Sequence, residues 1–176
     1  MRLFLALRPP GHIIEHLLLL QHGIENARWQ SAEQLHLTIR YIGEADRHQA
    51  GLLVDALDRL SAPMIDARLA AMGYFTRKDH IDQIWAGVTP KEPLAALHQR
   101  CERIITGLGF APEARSYMPH ITLARLGKKT RGAAEYVARH GDLTSALFRF
   151  DSLILFESHL GRGGSHYAEL ADWPLS

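Results

Sequence analysis

Two tetrapeptides, His36-Leu37-Thr38-Ile39 and His120-Ile121-Thr122-Leu123, repeat one pattern about half the chain apart. In an extended strand alternate side chains share a face, so each copy presents an imidazole and a hydroxyl together, roughly 6 to 7 Å apart. The two aliphatic residues of each copy turn the other way, into a core. Two imidazoles and two hydroxyls around one cleft suit phosphoryl chemistry without a metal. A neutral imidazole takes a proton from the attacking oxygen, and a protonated partner gives one to the departing oxygen. Thr38 and Thr122 can hold the non-bridging oxygens where negative charge builds, and an arginine, Arg40 or Arg125 just after each copy, can neutralise it.

Other chemistries fit less well. Neither copy contains a carboxylate, which argues against a glycosidase pair and against a hard-cation site. No HExxH segment exists. His12 and His16 are four apart on an expected helix whose inner face is taken by Ile13, Ile14 and Leu17, so they read as a solvated pair rather than metal ligands. Gly161-Arg162-Gly163-Gly164 lacks the spacing and following helix of a dinucleotide loop and reads as a hairpin turn.

The elements that must position the repeats follow from periodicity. Strands are expected at 3–7, 35–42, 64–72, 81–88, 120–126, 148–156 and 166–170, from short apolar or alternating runs bounded by turn residues. Helices are expected at 11–21, at 46–60 behind the Asp46/Gln49 capping box and at 94–108, with at most a short helix at 135–140. Cys101 falls on the apolar stripe of the third helix and reads as core. Several strands follow one another through short turns, so the class is α+β with largely antiparallel sheets.

Composition bounds the rest. With 176 residues, 47% hydrophobic and 22% charged, the chain suits one compact unit over 1–176. Lys+Arg 20 against Asp+Glu 19 leaves +1, so any contact with a polyanion is local rather than global. Sixteen of the basic residues are arginine, the side chain that forks onto phosphate. A lone cysteine fits a reducing compartment, the cytoplasm, and neither apolar run is long enough for a signal-peptide core or a membrane span.

With these residues in hand, the chain resembles the 2H phosphoesterase superfamily, and within it the bacterial and archaeal RNA 2′,3′-cyclic phosphodiesterase group, historically named 2′-5′ RNA ligase. The likeness runs through Leu3-Phe4-Leu5-Ala6-Leu7, Arg28-Trp29, Gly73-Tyr74-Phe75 with Ile84-Trp85-Ala86-Gly87-Val88, and Pro119-His120-Ile121-Thr122-Leu123-Ala124-Arg125. Tyr41-Ile42-Gly43 stands where the family more often has Phe-Leu-Gly. The resemblance implies a bilobal, pseudo-symmetric α+β fold in which two antiparallel sheets form a central cleft, with helices outside. It implies opening of a terminal 2′,3′-cyclic phosphate on RNA to a 2′-phosphate, with no metal or cofactor. On that template His36 protonates the departing oxygen and His120 activates water, labels that follow family convention because the sequence symmetry supports the reverse equally. Thr38 and Thr122 bind phosphoryl oxygens, Arg125 sits near them, and Tyr41, Phe75 and Arg77 contact a base or the backbone. The partners implied are RNA ends or nucleotides bearing a 2′,3′-cyclic phosphate, met by a monomer away from membranes. Joining of RNA ends through a 2′-5′ linkage at the same site is one alternative. A binding module that has lost turnover is another, but its signature, loss of a motif histidine, is missing here.

Overall fold

The computed structural model describes residues 1–176. The apolar run Arg2–Leu7 forms β1, ended by Pro9 and Pro10, and Pro10 opens α1 (Gly11–Leu19), which buries Ile13 and Leu17. A two-residue strand β2 (Arg28–Trp29) and a 3₁₀ turn (Ala32–Gln34) lead into β3 (Leu37–Glu44). The capping box forms as expected before α2 (Arg47–Leu57), with Asp46 and Gln49 exchanging side-chain and backbone hydrogen bonds of 2.8 and 2.9 Å. A long hairpin, β4 (Ile65–Arg77) and β5 (His80–Thr89), precedes α3 (Lys91–Gly107) and β6 (His120–Arg125). After α4 (Ala133–Arg139) come β7 (Phe148–Phe150), β8 (Ser152–Gly161) and β9 (Gly164–Pro174).

The strands run in the order β7-β4-β5-β6-β3-β1-β8-β9, with β2 added beside β6. Every pairing between strands is antiparallel. Two four-stranded halves, β3-β1-β8-β9 and β6-β5-β4-β7, each carry a histidine motif on the strand at their inner edge. Their strands pair with each other at one position only, Leu37 with Ile121. The expected pair of sheets is therefore joined at a single point in an otherwise open seam, and that seam is the cleft.

Two expectations change in detail. The strand read at 148–156 is two strands: β7 pairs with β4 and β8 with β1, so the chain crosses from one half to the other at Asp151. The hairpin strand read as ending at residue 72 continues to Arg77, because Ala71, with φ of 65°, takes up an irregularity in the ladder and lets pairing resume. Lys78 at φ 56° then makes the tight turn.

Thirty-eight buried residues form the main core, drawn from both halves and from the apolar stripes of the helices. Leu3, Leu5 and Leu7 enter it, whereas Phe4 and Ala6 on the other face of β1 join Ile154 and Phe156 in a small cluster under Tyr167. Burial on both faces explains why β1 reads as a continuous apolar run. Cys101 is fully buried in the main core, and that burial pushes its thiol up to about 12, a packing residue rather than a nucleophile. No helix is long and apolar enough to cross a membrane.

Candidate active site

Leu37 and Ile121, the pair that joins the halves, are fully buried. Their neighbours therefore face the opposite side, so His36, Thr38, His120 and Thr122 all lie on the cleft face. The antiparallel register sets His36 in line with Thr122 and Thr38 in line with His120 across the seam.

Each imidazole is fixed in the same way. His36 Nδ1–H donates to the carbonyl of Gln34 at 2.7 Å, and His120 Nδ1–H donates to the carbonyl of Met118 at 2.7 Å. A carbonyl only accepts, so both rings must carry hydrogen on Nδ1, leaving Nε2 as the atom that can gain or lose a proton. Aromatic side chains pack around both rings. Phe4 lies 5.0 Å from the His36 ring and Tyr167 meets it edge-on at 5.2 Å, while Phe75 meets His120 edge-on at 5.1 Å and Trp85 lies at 5.9 Å.

This packing has an electrostatic consequence. Burial disfavours the charged ring and pulls His36 down to about 4, opposed by the bond to Gln34 and reinforced by His120, Arg125 and Arg8. His120 is lowered too, first by burial and then by Arg125, against the bond to Met118. Without an anion between them, both imidazoles are neutral at pH 7.

The hydroxyls differ. Thr38 Oγ1 lies 3.1 Å from His36 Nε2, so with that nitrogen unprotonated the hydroxyl donates to it. Thr122 Oγ1 instead accepts a short hydrogen bond from Gln83 Nε2, an amide that also stands 3.5 Å from His120 Nε2. Arg125 Nη1 approaches Gln83 Oε1 at 3.5 Å. Arginine can only donate, which fixes the amide oxygen toward Arg125 and its NH₂ toward the threonine and histidine.

The structure thus gathers His36, Thr38, His120, Thr122, Phe75 and, through Gln83, Arg125. Thr38, Phe75 and His120 also border a cavity of about 360 Å³ with Arg115, Tyr117 and Met118. Arg77 stands farther out, at the β4–β5 turn, in a groove shared with Arg125. Tyr41 lies opposite Phe4 on β1 and is 49% exposed.

The two motif-following arginines part company. Arg40 is 4% exposed, pairs with Glu102 and with Glu113, and donates to the carbonyls of Tyr41 and Ala111. It ties β3 to α3 and to the segment before β6, and each of its three guanidinium nitrogens already donates within the fold, so it braces the structure rather than serving a phosphate. Sequence reasoning passed over Gln83, which follows Asp82 at the polar start of its strand, and Phe4 and Tyr167, which nothing local marks.

Comparison with known proteins agrees with this arrangement. The model of the 2′-5′ RNA ligase superfamily matches residues 19–162. An RNA 2′,3′-cyclic phosphodiesterase of Aeropyrum pernix is 32% identical over 78% of this chain and 80% of that protein. One of Methanocaldococcus jannaschii is 27% identical over 98% of this chain and 100% of its own length. Among solved structures, Escherichia coli LigT complexed with 3′-AMP superposes with a TM-score of 0.79 over 99% of this chain and 98% of that one, at 24% identity. A family match that spans both histidine strands and the cleft between them leaves one conclusion: this chain belongs to the 2′-5′ RNA ligase superfamily.

Proposed function

We propose that the protein opens terminal 2′,3′-cyclic phosphates on RNA, giving 2′-phosphates. The observation that carries this reading is the pair of imidazoles whose Nδ1 atoms are each locked by a carbonyl two residues earlier, so that two Nε2 atoms serve one cleft. The relatives named RNA 2′,3′-cyclic phosphodiesterase support the same substrate.

In this reading water attacks phosphorus opposite the 3′ oxygen and His120 Nε2 takes its proton. The bond from phosphorus to the 3′ oxygen breaks, and His36 Nε2–H protonates the departing oxygen. Thr38 and Thr122 donate to the non-bridging oxygens, and Arg125 offsets the charge that builds there. A bound phosphodiester anion raises the neighbouring imidazoles and supplies the protonated His36 that the empty cleft disfavours. Tyr41 and Phe75 offer aromatic faces to a base, and Arg77 a charge to the backbone. The protein works as one unit over residues 1–176, a cytoplasmic monomer that needs no metal.

The test is to incubate chelator-treated protein with a short RNA ending in a 2′,3′-cyclic phosphate and to resolve 2′-phosphate, 3′-phosphate and joined products. The expected product is the 2′-phosphate, lost in His36→Ala and in His120→Ala. Undiminished turnover in either variant, or activity abolished by chelation, overturns the mechanism; joined product in excess marks ligation instead.

A further inference from the structure

In the β2–β6 ladder Arg28 stands directly opposite Arg125. Like charges in that position repel and cost stability. Neither has a carboxylate to offset it: among arginine and lysine side chains, ion pairs engage Arg2, Arg8, Arg40 and Arg149, whereas Arg28, Arg77, Lys78, Arg125 and Lys128 form none. These five cations, with Asp82 as the one carboxylate, line a groove of about 410 Å³. All five are exposed. The groove is continuous with the reacting end of the cleft, because Arg28 and Arg125 also line the adjoining cavity of about 200 Å³, which reaches Tyr167 beside His36. In a chain whose net charge is only +1, this is a local concentration of unneutralised charge. The cavity at the other end of the cleft holds a single cation, Arg115, with Glu113 beside it.

We propose that the groove from Arg125 and Arg28 to Arg77, Lys78 and Lys128 receives the RNA strand on the 5′ side of the reacting terminus, its phosphodiesters neutralising these cations. The proposal rests on the cyclic-phosphate reading for the chemistry of the terminus, and it deepens that reading in two ways. The preferred substrate is an oligonucleotide rather than a mononucleotide, and its strand leaves the cleft past the β4–β5 turn rather than past Arg115. The guanidinium groups fork onto phosphate oxygens, and the two lysines add charge. Each phosphate neutralised on a single strand contributes about −0.7 to the slope of log affinity against log salt, so five cations give about −3.5.

Two measurements test this. The first is fluorescence anisotropy of a 5′-labelled RNA octamer ending in an unreactive 3′-phosphate, titrated at several salt concentrations. The second is kcat/KM for a 2′,3′-cyclic mononucleotide against an octamer ending in the same group. The octamer is expected to be preferred about 10-fold or more at low salt, with a binding slope of about −3.5. Combining Arg77→Ala, Lys78→Ala and Lys128→Ala, all at exposed positions, should make the slope shallower by about 2 and remove most of the preference, while Arg115→Ala keeps both. Salt-independent octamer binding by the unaltered protein, a preference that survives the triple substitution, or one that vanishes in Arg115→Ala overturns the groove. Salt-dependent, groove-dependent octamer binding with no turnover of either cyclic substrate would overturn the reaction and leave the groove standing.

Discussion

Gln83 reaches from β5 to donate its amide hydrogen to Thr122 Oγ1, and the partner hydroxyl, Thr38 Oγ1, has no such donor and lies 3.1 Å from His36 Nε2 itself. The two halves therefore differ at the point where their sequences look alike. An NH₂ group facing His120 Nε2 favours the unprotonated nitrogen, the state of a base. A hydroxyl facing His36 Nε2 can accept as well as donate, so it tolerates the protonated state of an acid. In the proposed mechanism Gln83 is the positioning residue that makes the two imidazoles unlike.

Replacing that amide separates positioning from packing. Gln83→Glu puts a carboxylate beside His120 Nε2, which should raise the His120 value and move the corresponding limb of the pH–rate profile upward. Gln83→Leu should lower kcat by about 10-fold, within the loss expected when a hydrogen bond that aims a reacting group is removed. An unmoved limb in Gln83→Glu would show that the amide only fills space.

The rate profile itself has a defined sign. The proposed mechanism requires His36 charged and His120 neutral, and both are held below the ordinary imidazole value in the free protein, His36 at about 4. The product of those two fractions peaks midway between the two values, so kcat/KM should be bell-shaped with its maximum on the acid side of pH 6.5. The bound anion raises both groups, so the maximum of kcat should lie at higher pH. A kcat/KM that rises monotonically through the histidine range contradicts this.

Single substitutions in the motifs should rank by role. His36→Ala and His120→Ala are expected to lose about 10²- to 10⁴-fold in kcat. Thr38→Val and Thr122→Val, which keep the shape and remove the donor, should lose about 10²-fold, read chiefly in kcat rather than KM. Steady-state kinetics on one cyclic-phosphate RNA measures all four.

Stability should follow the same imidazole. The folded protein holds His36 below its unfolded value, so its contribution is complete above about pH 6.5 and is lost as pH falls through about 4. Denaturant unfolding should show a loss on the order of 1 to 3 kcal/mol over that window, reduced in His36→Asn and offset by added inorganic phosphate. A profile identical in the variant and the unaltered protein argues against the burial effect.

Arg40 should behave as a brace. Arg40→Met leaves Glu102 without its partner and removes donors from the carbonyls of Tyr41 and Ala111. The expected cost is about 3 kcal/mol, read as a lower denaturation midpoint. Unchanged stability together with a selective rise in KM would return Arg40 to the phosphate site.

How much of this could be read from the chain depends on range. The capping box before α2, the core stripe of α3 with Cys101, and the shared face of His36 with Thr38 all follow from residues within one turn or strand, where spacing dictates geometry. The crossover at Asp151 did not, because Phe148–Phe150 and Ser152–Gly161 have the same apolar character and only their partners, β4 and β1, tell them apart. Arg40 and Arg125 sit at nearly equal distances after their motifs, and what distinguishes them is Glu102, 62 residues away in sequence. Gln83 and Tyr167 reach the site only by pairing of strands, and no local pattern carries that information.

The return of the chain at Asp151 sets the timing of assembly. Leu3 is matched with Glu157, so β1 lacks one of its two neighbours until the chain has been made as far as β8. Until then its apolar edge is open to nascent-chain chaperones or to mispairing, a hazard of contacts so distant in sequence. For the same reason the strand beside the His36 motif waits on β8, more than a hundred residues further along the chain, before its sheet is complete.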